Sequence, residues 1–154
     1  MAKLVAEFTY GTDLISDDFG PGPYGHRWLF RGTGGGQVSG ARLNGHLMPP
    51  GGDWFLVGHD DCGRIDVRAN IKTDDDALIY VQYFGLLVLT PGVVAILEGR
   101  ESADGDDTQY FFTNPRLETG DQRYAWVNRT MFLGEGRISD GPRVDYTVYS
   151  VSNG

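Results

Sequence analysis

The stretch from Arg64 to Leu89 reads RIDVRANIK, then TDDD, then ALIYVQYFGLLVL, and it limits the possible folds more than any other part of the chain. Its first half alternates strictly. Ile65, Val67, Ala69 and Ile71 fall on one face; Arg64, Asp66, Arg68, Asn70 and Lys72 fall on the other. A period of two marks a strand with one buried face, and a polar turn followed by a second apolar run makes it a hairpin. A tight turn over TDDD sets Asp66 opposite Tyr83 and Arg68 opposite Val81, with Val67 against Gln82 and Ala69 against Tyr80. A slip of one residue would exchange every facing assignment.

The same alternation, punctuated by turns, recurs from end to end, and helical periodicity is nearly absent. KLVAEFTY is a first strand and DLISDDFGPGPYG a loop with two Pro-flanking glycines. HRWLFRGTGGGQVSGARLNGHLM holds short strands broken by glycines. Gly34-Gly35-Gly36 suggests a phosphate cradle, but no helix pattern follows to supply aligned N–H groups, so a turn or bulge is expected. TPGVVAILEGRES suits a short strand or one helical turn, and ADGDD a solvated acidic loop. TQYFFTNPRLETG, QRYAWVNRTMFLGEGRI and RVDYTVYSVSN read as strands, with Pro115 breaking the first. About nine or ten strands joined by short turns predict an all-β chain: one antiparallel β-barrel, or a strongly curved β-sandwich, with an internal pocket. At 154 residues the whole chain, 1–154, forms a single domain.

A formal net charge of -8 argues against nucleic acid and against anionic membrane surfaces as partners. MAKLVAEFTY has no apolar core for a signal peptide, and no later run is long enough to span a membrane, so a soluble, cytoplasmic protein is expected. The single cysteine, Cys62, allows no internal disulfide and fits a turn beside Gly63 better than a nucleophile. His26, His46 and His59 lack metal-ligand spacing, and no dinucleotide fingerprint is present. Neither a metal nor a cofactor is expected; the expected partner is a small-molecule substrate or ligand.

Three constellations could carry chemistry. In Gly51-Gly52-Asp53-Trp54 the glycines permit a backbone closed to other residues, and Asp53 either caps nearby N–H groups or stands as a desolvated general base beside the Trp54 indole. Asp66 and Arg68 share a strand face, which is either a wetted exterior or an inward pair. Turned inward, Asp66 would act with Tyr83 as proton donor, and Arg68 would bind a substrate carboxylate or enolate. Tyr80 and Gln82 stand among Ile65, Val67, Ala69 and Ile71 in the expected register, a profile that fits a ligand pocket and ordinary core equally well. In YAWVN, strand alternation puts Tyr124, Trp126 and Asn128 on one face, where Trp126 and Asn128 could stack on and orient a ring or simply pack. The catalytic candidates are therefore Asp53, Asp66 and Tyr83, and the substrate-binding candidates are Trp54, Arg68, Tyr80, Gln82, Trp126 and Asn128.

GGDW at Gly51, IDVR at Ile65, TDDDALIYV at Thr73, YFFTNPRLETG at Tyr110 and YAWVN at Tyr124 follow one another in an order and spacing that resembles the DUF3237 family, also called UPF0311. The likeness runs from Gly34 to the C-terminal end. It implies a small β-barrel that often assembles into homo-oligomers, and a non-redox lyase, isomerase or cyclase role on small organic molecules. A non-catalytic, lipocalin-like barrel that binds a hydrophobic small molecule is the alternative. Two positions depart from the family pattern. Asp75-Asp76 replaces Asp-Gly in the hairpin turn, and Phe112 replaces an arginine in Tyr110-Phe111-Phe112-Thr113.

Overall fold

Strand β1 (Lys3–Gly22) closes the molecule on itself. Its first half pairs with the last strand, β11 (Arg143–Ser152), and its second half with β2 (Gly25–Gly32). The computed structural model describes residues 1–33, 35–100 and 108–154. Gly34 of the glycine triplet and the ADGDD stretch lie outside the described residues.

Between those ends run β3 (Gln37–Gly40), β4 (Gly45–Leu47), β5 (Gly52–Val57), β6 (Cys62–Thr73), β7 (Leu78–Val88), helix α1 (Pro91–Leu97), β8 (Phe111–Thr113), β9 (Arg116–Glu118), a 3₁₀ helix (Gln122–Arg129) and β10 (Met131–Ser139). All strand pairings are antiparallel, and β1-β11-β10-β8-β7-β6-β5-β2 returns to β1, a ring of 8 strands. The chain is an all-β antiparallel barrel. The β3–β4 pair bridges β1 to β6. Thr90 caps α1, its hydroxyl accepting from the Val93 N–H at 3.2 Å, and Pro91 starts the helix with φ already set. Val93 and Ile96 of α1 are buried. No helix among the described residues is long and apolar enough to cross a membrane.

Three expectations are corrected. DLISDDFGPG is strand rather than loop: Leu14 to Gly22 pair with β2 in a ribbon whose side chains are mostly exposed on both faces, so no alternation marks it. The 3₁₀ helix replaces the strand expected over YAWVN, and its buried residues, Tyr124 and Val127, stand three apart. The β6–β7 register is one residue away from the expected one. Thr73 and Ala77 close the turn through the Thr73 N–H to the Ala77 carbonyl at 2.9 Å, so the loop is Asp74-Asp75-Asp76 and Asp76 takes φ 70. This three-residue loop with a left-handed third residue pairs Val67 with Tyr83, Asp66 with Phe84 and Arg68 with Gln82. The slip turns Tyr83 inward and leaves Tyr80 and Gln82 on the outer face.

One part of the interior is solid. Val38, Leu43, Ile71, Ile79, Val127 and Val148 are almost wholly buried there, each side chain contributing roughly 1.5–3 kcal/mol through burial. Nearer α1 the interior opens into a cavity.

Candidate functional site

The cavity has a volume of about 130 Å³ and is bordered by Tyr10, Phe30, Asp53, Val67, Tyr83 and Tyr146, among others. At roughly 10–15 Å³ of such space per water, it would hold about ten waters or a one- to two-ring molecule. Gly51 and Gly52 bring β5 against its neighbours just before Asp53. A Cβ on Gly51 would lie 2.8 Å from the Arg68 carbonyl oxygen, and one on Gly52 2.9 Å from Leu29 Cδ1.

Past this approach the β5–β6 ladder opens. It runs Gly52↔Arg68 and Asp53↔Val67 and resumes only at Leu56↔Arg64. In the gap the Asp66 N–H donates to Asp53 Oδ1 at 3.0 Å, and Arg27 on β2 donates to the Trp54 carbonyl at 2.8 Å. A side-chain carboxylate thus stands where a backbone acceptor would, which fixes Asp53 and aims it at the cavity. Burial pushes the Asp53 carboxyl up to about 7, and the Asp66 charge adds to the shift; the Asp66 N–H and the Arg27 guanidinium oppose it. Asp53 keeps some accessible surface, and as a cavity-lining residue it spends that surface on the hollow rather than on open water.

Three phenols face this carboxyl. Tyr10 and Tyr146 are register partners across β1–β11, their rings 4.9 Å apart, and the Tyr83 ring meets Tyr146 edge-on at 5.5 Å. Tyr83 interacts electrostatically with both of the others. Burial raises all three well above the usual phenol range, and the neighbouring Asp53 charge raises them further, so the hydroxyls stay protonated as donors. A carboxyl that titrates near neutrality beside neutral phenols can take a proton, return it, and stabilise an oxyanion formed in between.

Of the catalytic candidates, Asp53 and Tyr83 border the cavity. Asp66 contributes its backbone N–H, while its side chain belongs to the outward row opposite Phe84. Asp66 and Arg68 form no ion pair with each other, and Arg68, exposed, borders the cavity only at its rim beside Gly51 and Gly52. Trp54 is 41% exposed on the outside, and Tyr80 and Gln82 sit on the outer face opposite Asn70 and Arg68. The Trp126 ring lies 3.5 Å beneath the Arg42 guanidinium, away from the cavity. Asn128 clamps the chain, exchanging hydrogen bonds of 2.8 and 2.9 Å with the Thr119 backbone. Phe112 lies opposite Leu86 and Glu135. Tyr10 and Tyr146 were not among the candidates. The available signal was their place among Phe8, Thr12, Val144 and Val148 at alternate inward positions of the two strands that close the ring.

The fold and site together define a small antiparallel barrel with a buried carboxyl set against a tyrosine cluster. The chain belongs to the DUF3237 family, described as a protein of unknown function, whose model matches residues 3–151. A UPF0311 protein from Rhodopseudomonas palustris is 30% identical over 102 residues, which span 65% of this chain and 65% of that protein, somewhat less than two thirds of its length. A crystal structure of a conserved R. palustris protein of unknown function has a TM-score of 0.85 at 25% identity, covering 99% of both chains. A beta-barrel like protein from Acinetobacter baumannii has a TM-score of 0.82 at 28% identity, covering 99% of this chain and 97% of that one. An enzyme from Penicillium herquei shares the fold alone, at 16% identity and a TM-score of 0.64, over 99% of this chain and 94% of that one.

Proposed function

We propose that the barrel is a small-molecule enzyme of non-redox type that moves protons on a carbonyl-bearing or aromatic metabolite. The observation behind this reading is the Asp53 carboxyl, poised near neutral pH by burial and facing three protonated phenols. As carboxylate, Asp53 removes a proton from the carbon next to the substrate carbonyl. The electron pair moves onto the carbonyl oxygen, which a phenol O–H stabilises by hydrogen bonding. Protonated Asp53 then returns the proton. Delivery to a different carbon completes an isomerisation, and delivery to a leaving group completes an elimination. Where the oxyanion instead adds to a carbon–carbon double bond of the same molecule, a C–O bond closes the ring as the π bond breaks, and protonated Asp53 returns its proton to the carbanion so formed. Arg68, the one cation among the described residues bordering the cavity, suits an anionic substituent left at the rim. The Penicillium herquei enzyme, similar in fold, is a precedent for catalysis in such a barrel.

The test is solvent-deuterium exchange into 2-indanone, a small enolisable ketone, followed by NMR. The wild-type protein exchanges the α-protons and Asp53→Asn loses the acceleration at least 100-fold; equal rates in the two proteins refute the reading. The alternative, a lipocalin-like binding barrel, draws support from the mainly apolar lining. It requires saturable 2-indanone binding with no exchange in either protein.

A further inference from the structure

Beyond the cavity wall lies a second, larger hollow of about 670 Å³ between α1 and the β2–β5 ladder. Trp28 and Val57 line it on the sheet side, and Val94 and Leu97 on the helix side. Phe30, Phe55 and Leu97 border both hollows, so a partition of three apolar side chains is all that the two have in common. The inner row of β2 runs along this path. The His26 and Trp28 rings stack at 4.9 Å and 11°, Trp28 and Phe30 at 6.0 Å and 18°, and Phe30 meets Phe55 edge-on at 5.6 Å. This aromatic row ends at Phe30, the register partner of Asp53.

His26 gives the outer hollow a polar anchor. Its Nε2 is hydrogen-bonded to Asp18, whose carboxylate also accepts the Gly20 N–H at 2.7 Å. In its neutral form an imidazole donating from Nε2 keeps an acceptor lone pair on Nδ1, and no partner for that nitrogen is present among the described residues. Mainly apolar walls that also carry Asp61, Glu98 and Arg100, together with parallel rings and one oriented acceptor, are the makings of a site for a flat ring system with a hydroxyl or N–H.

We propose that this hollow is the outer half of the binding site, so that the substrate is a fused- or linked-ring molecule whose hydroxyl- or N–H-bearing end rests against Trp28 and His26 while its reacting end passes Phe30, Phe55 and Leu97 to reach Asp53. The proposal rests on the reading of Asp53 given above. Volume supports it: the inner cavity alone accepts a molecule of one or two rings, and the two hollows together accept several.

The experiment titrates 2-naphthol into the full chain, recording the indole N–H resonances of Trp28, Trp54 and Trp126 by NMR and affinity by calorimetry. Saturable binding moves the Trp28 resonance and leaves Trp54 and Trp126 in place. Val94→Trp, which fills the outer hollow from the helix side, weakens 2-naphthol at least 10-fold and leaves phenol, small enough for the inner cavity, within twofold. An unmoved Trp28 resonance at saturation, no saturable binding, or equal 2-naphthol affinity in Val94→Trp overturns the proposal. The wild-type Trp28 resonance decides even if the variant folds poorly. Asp53→Asn separates the two readings: it abolishes exchange into 2-indanone under the first and leaves the Trp28 shift intact under the second.

Discussion

Two aspartates beside β6, Asp53 on the neighbouring strand β5 and Asp75 in the turn that follows β6, show how surroundings set what one residue type does. Asp75 sits in the β6–β7 turn and accepts from the Thr73 hydroxyl at 2.6 Å and the Tyr124 hydroxyl at 2.7 Å, with Arg123 paired to it at 3.2 Å. Those hydrogen bonds, led by Thr73, with the Arg123 charge hold its carboxyl below the ordinary range. Asp53 has one N–H donor, no paired cation and a desolvating shell, and it is pushed up to about 7. Asp53 replaces a missing backbone partner in an opened ladder, whereas Asp75 is held by side chains at a turn. The turn aspartate is satisfied in its charged form and stabilises the fold. The wall aspartate is poised between forms, an arrangement that suits proton transfer and costs stability.

The sharpest way to break this contrast is Asp53→Asn. Asparagine keeps an oxygen for the Asp66 N–H but cannot take a proton, so 2-indanone exchange falls at least 100-fold while the far-ultraviolet spectrum stays that of the wild type. The next effect is on stability against pH. The folded Asp53 carboxyl titrates at about 7 and the unfolded one near 4. Between those values the folded protein holds a proton that the unfolded chain has lost. Stability from this group is therefore complete below about pH 4, declines as pH rises to 7, and is level above; the loss is roughly 4 kcal/mol. Carboxylates held low, such as Asp75 and Glu7, act with the opposite sign at lower pH, so the readout is the wild-type curve minus that of Asp53→Asn in urea titrations. A flat difference between pH 4 and 7 would place Asp53 in the same class as Asp75.

The contrast also explains what could be read from residues alone. Alternation in RIDVRANIK and the terminal strands pointed to an all-β chain, because burial on one side of a strand leaves a period of two, but alternation alone divides β6 into two faces without saying which one is inward. The GGDW corner pointed to Asp53 through glycines expected to take a conformation closed to other residues; neither has a positive φ, and the room they leave is for close approach to Arg68 and Leu29. The register of β6–β7 depended on one left-handed residue. An aspartate can adopt that conformation but does not announce it as glycine would, and Tyr83 changed sides with it. Tyr10 and Tyr146 are joined only by the closing of the ring between the first and last strands, a contact with no local spacing. YAWVN misled because aromatic residues at alternate positions suit a strand, whereas its buried pair has the three-residue period of a 3₁₀ turn.

Two smaller effects probe the turn side of the comparison. Tyr124→Phe removes the hydroxyl that binds Asp75 and lowers stability by about 1 kcal/mol, seen as a lower urea midpoint with an unchanged slope. Activity stays at the wild-type level, because Tyr124 has no part in the cavity lining. Asp76→Gly acts in the other direction. Asp76 holds φ 70 with 84% of its side chain exposed and only a 3.9 Å contact to Lys72. Glycine enters that left-handed conformation without a Cβ clash, and the relief exceeds its added freedom in the unfolded chain, giving a net gain of about 0.5 kcal/mol. A loss of stability instead would mean that the Lys72 contact outweighs the backbone term, and that side-chain pairing governs this turn as desolvation governs the wall.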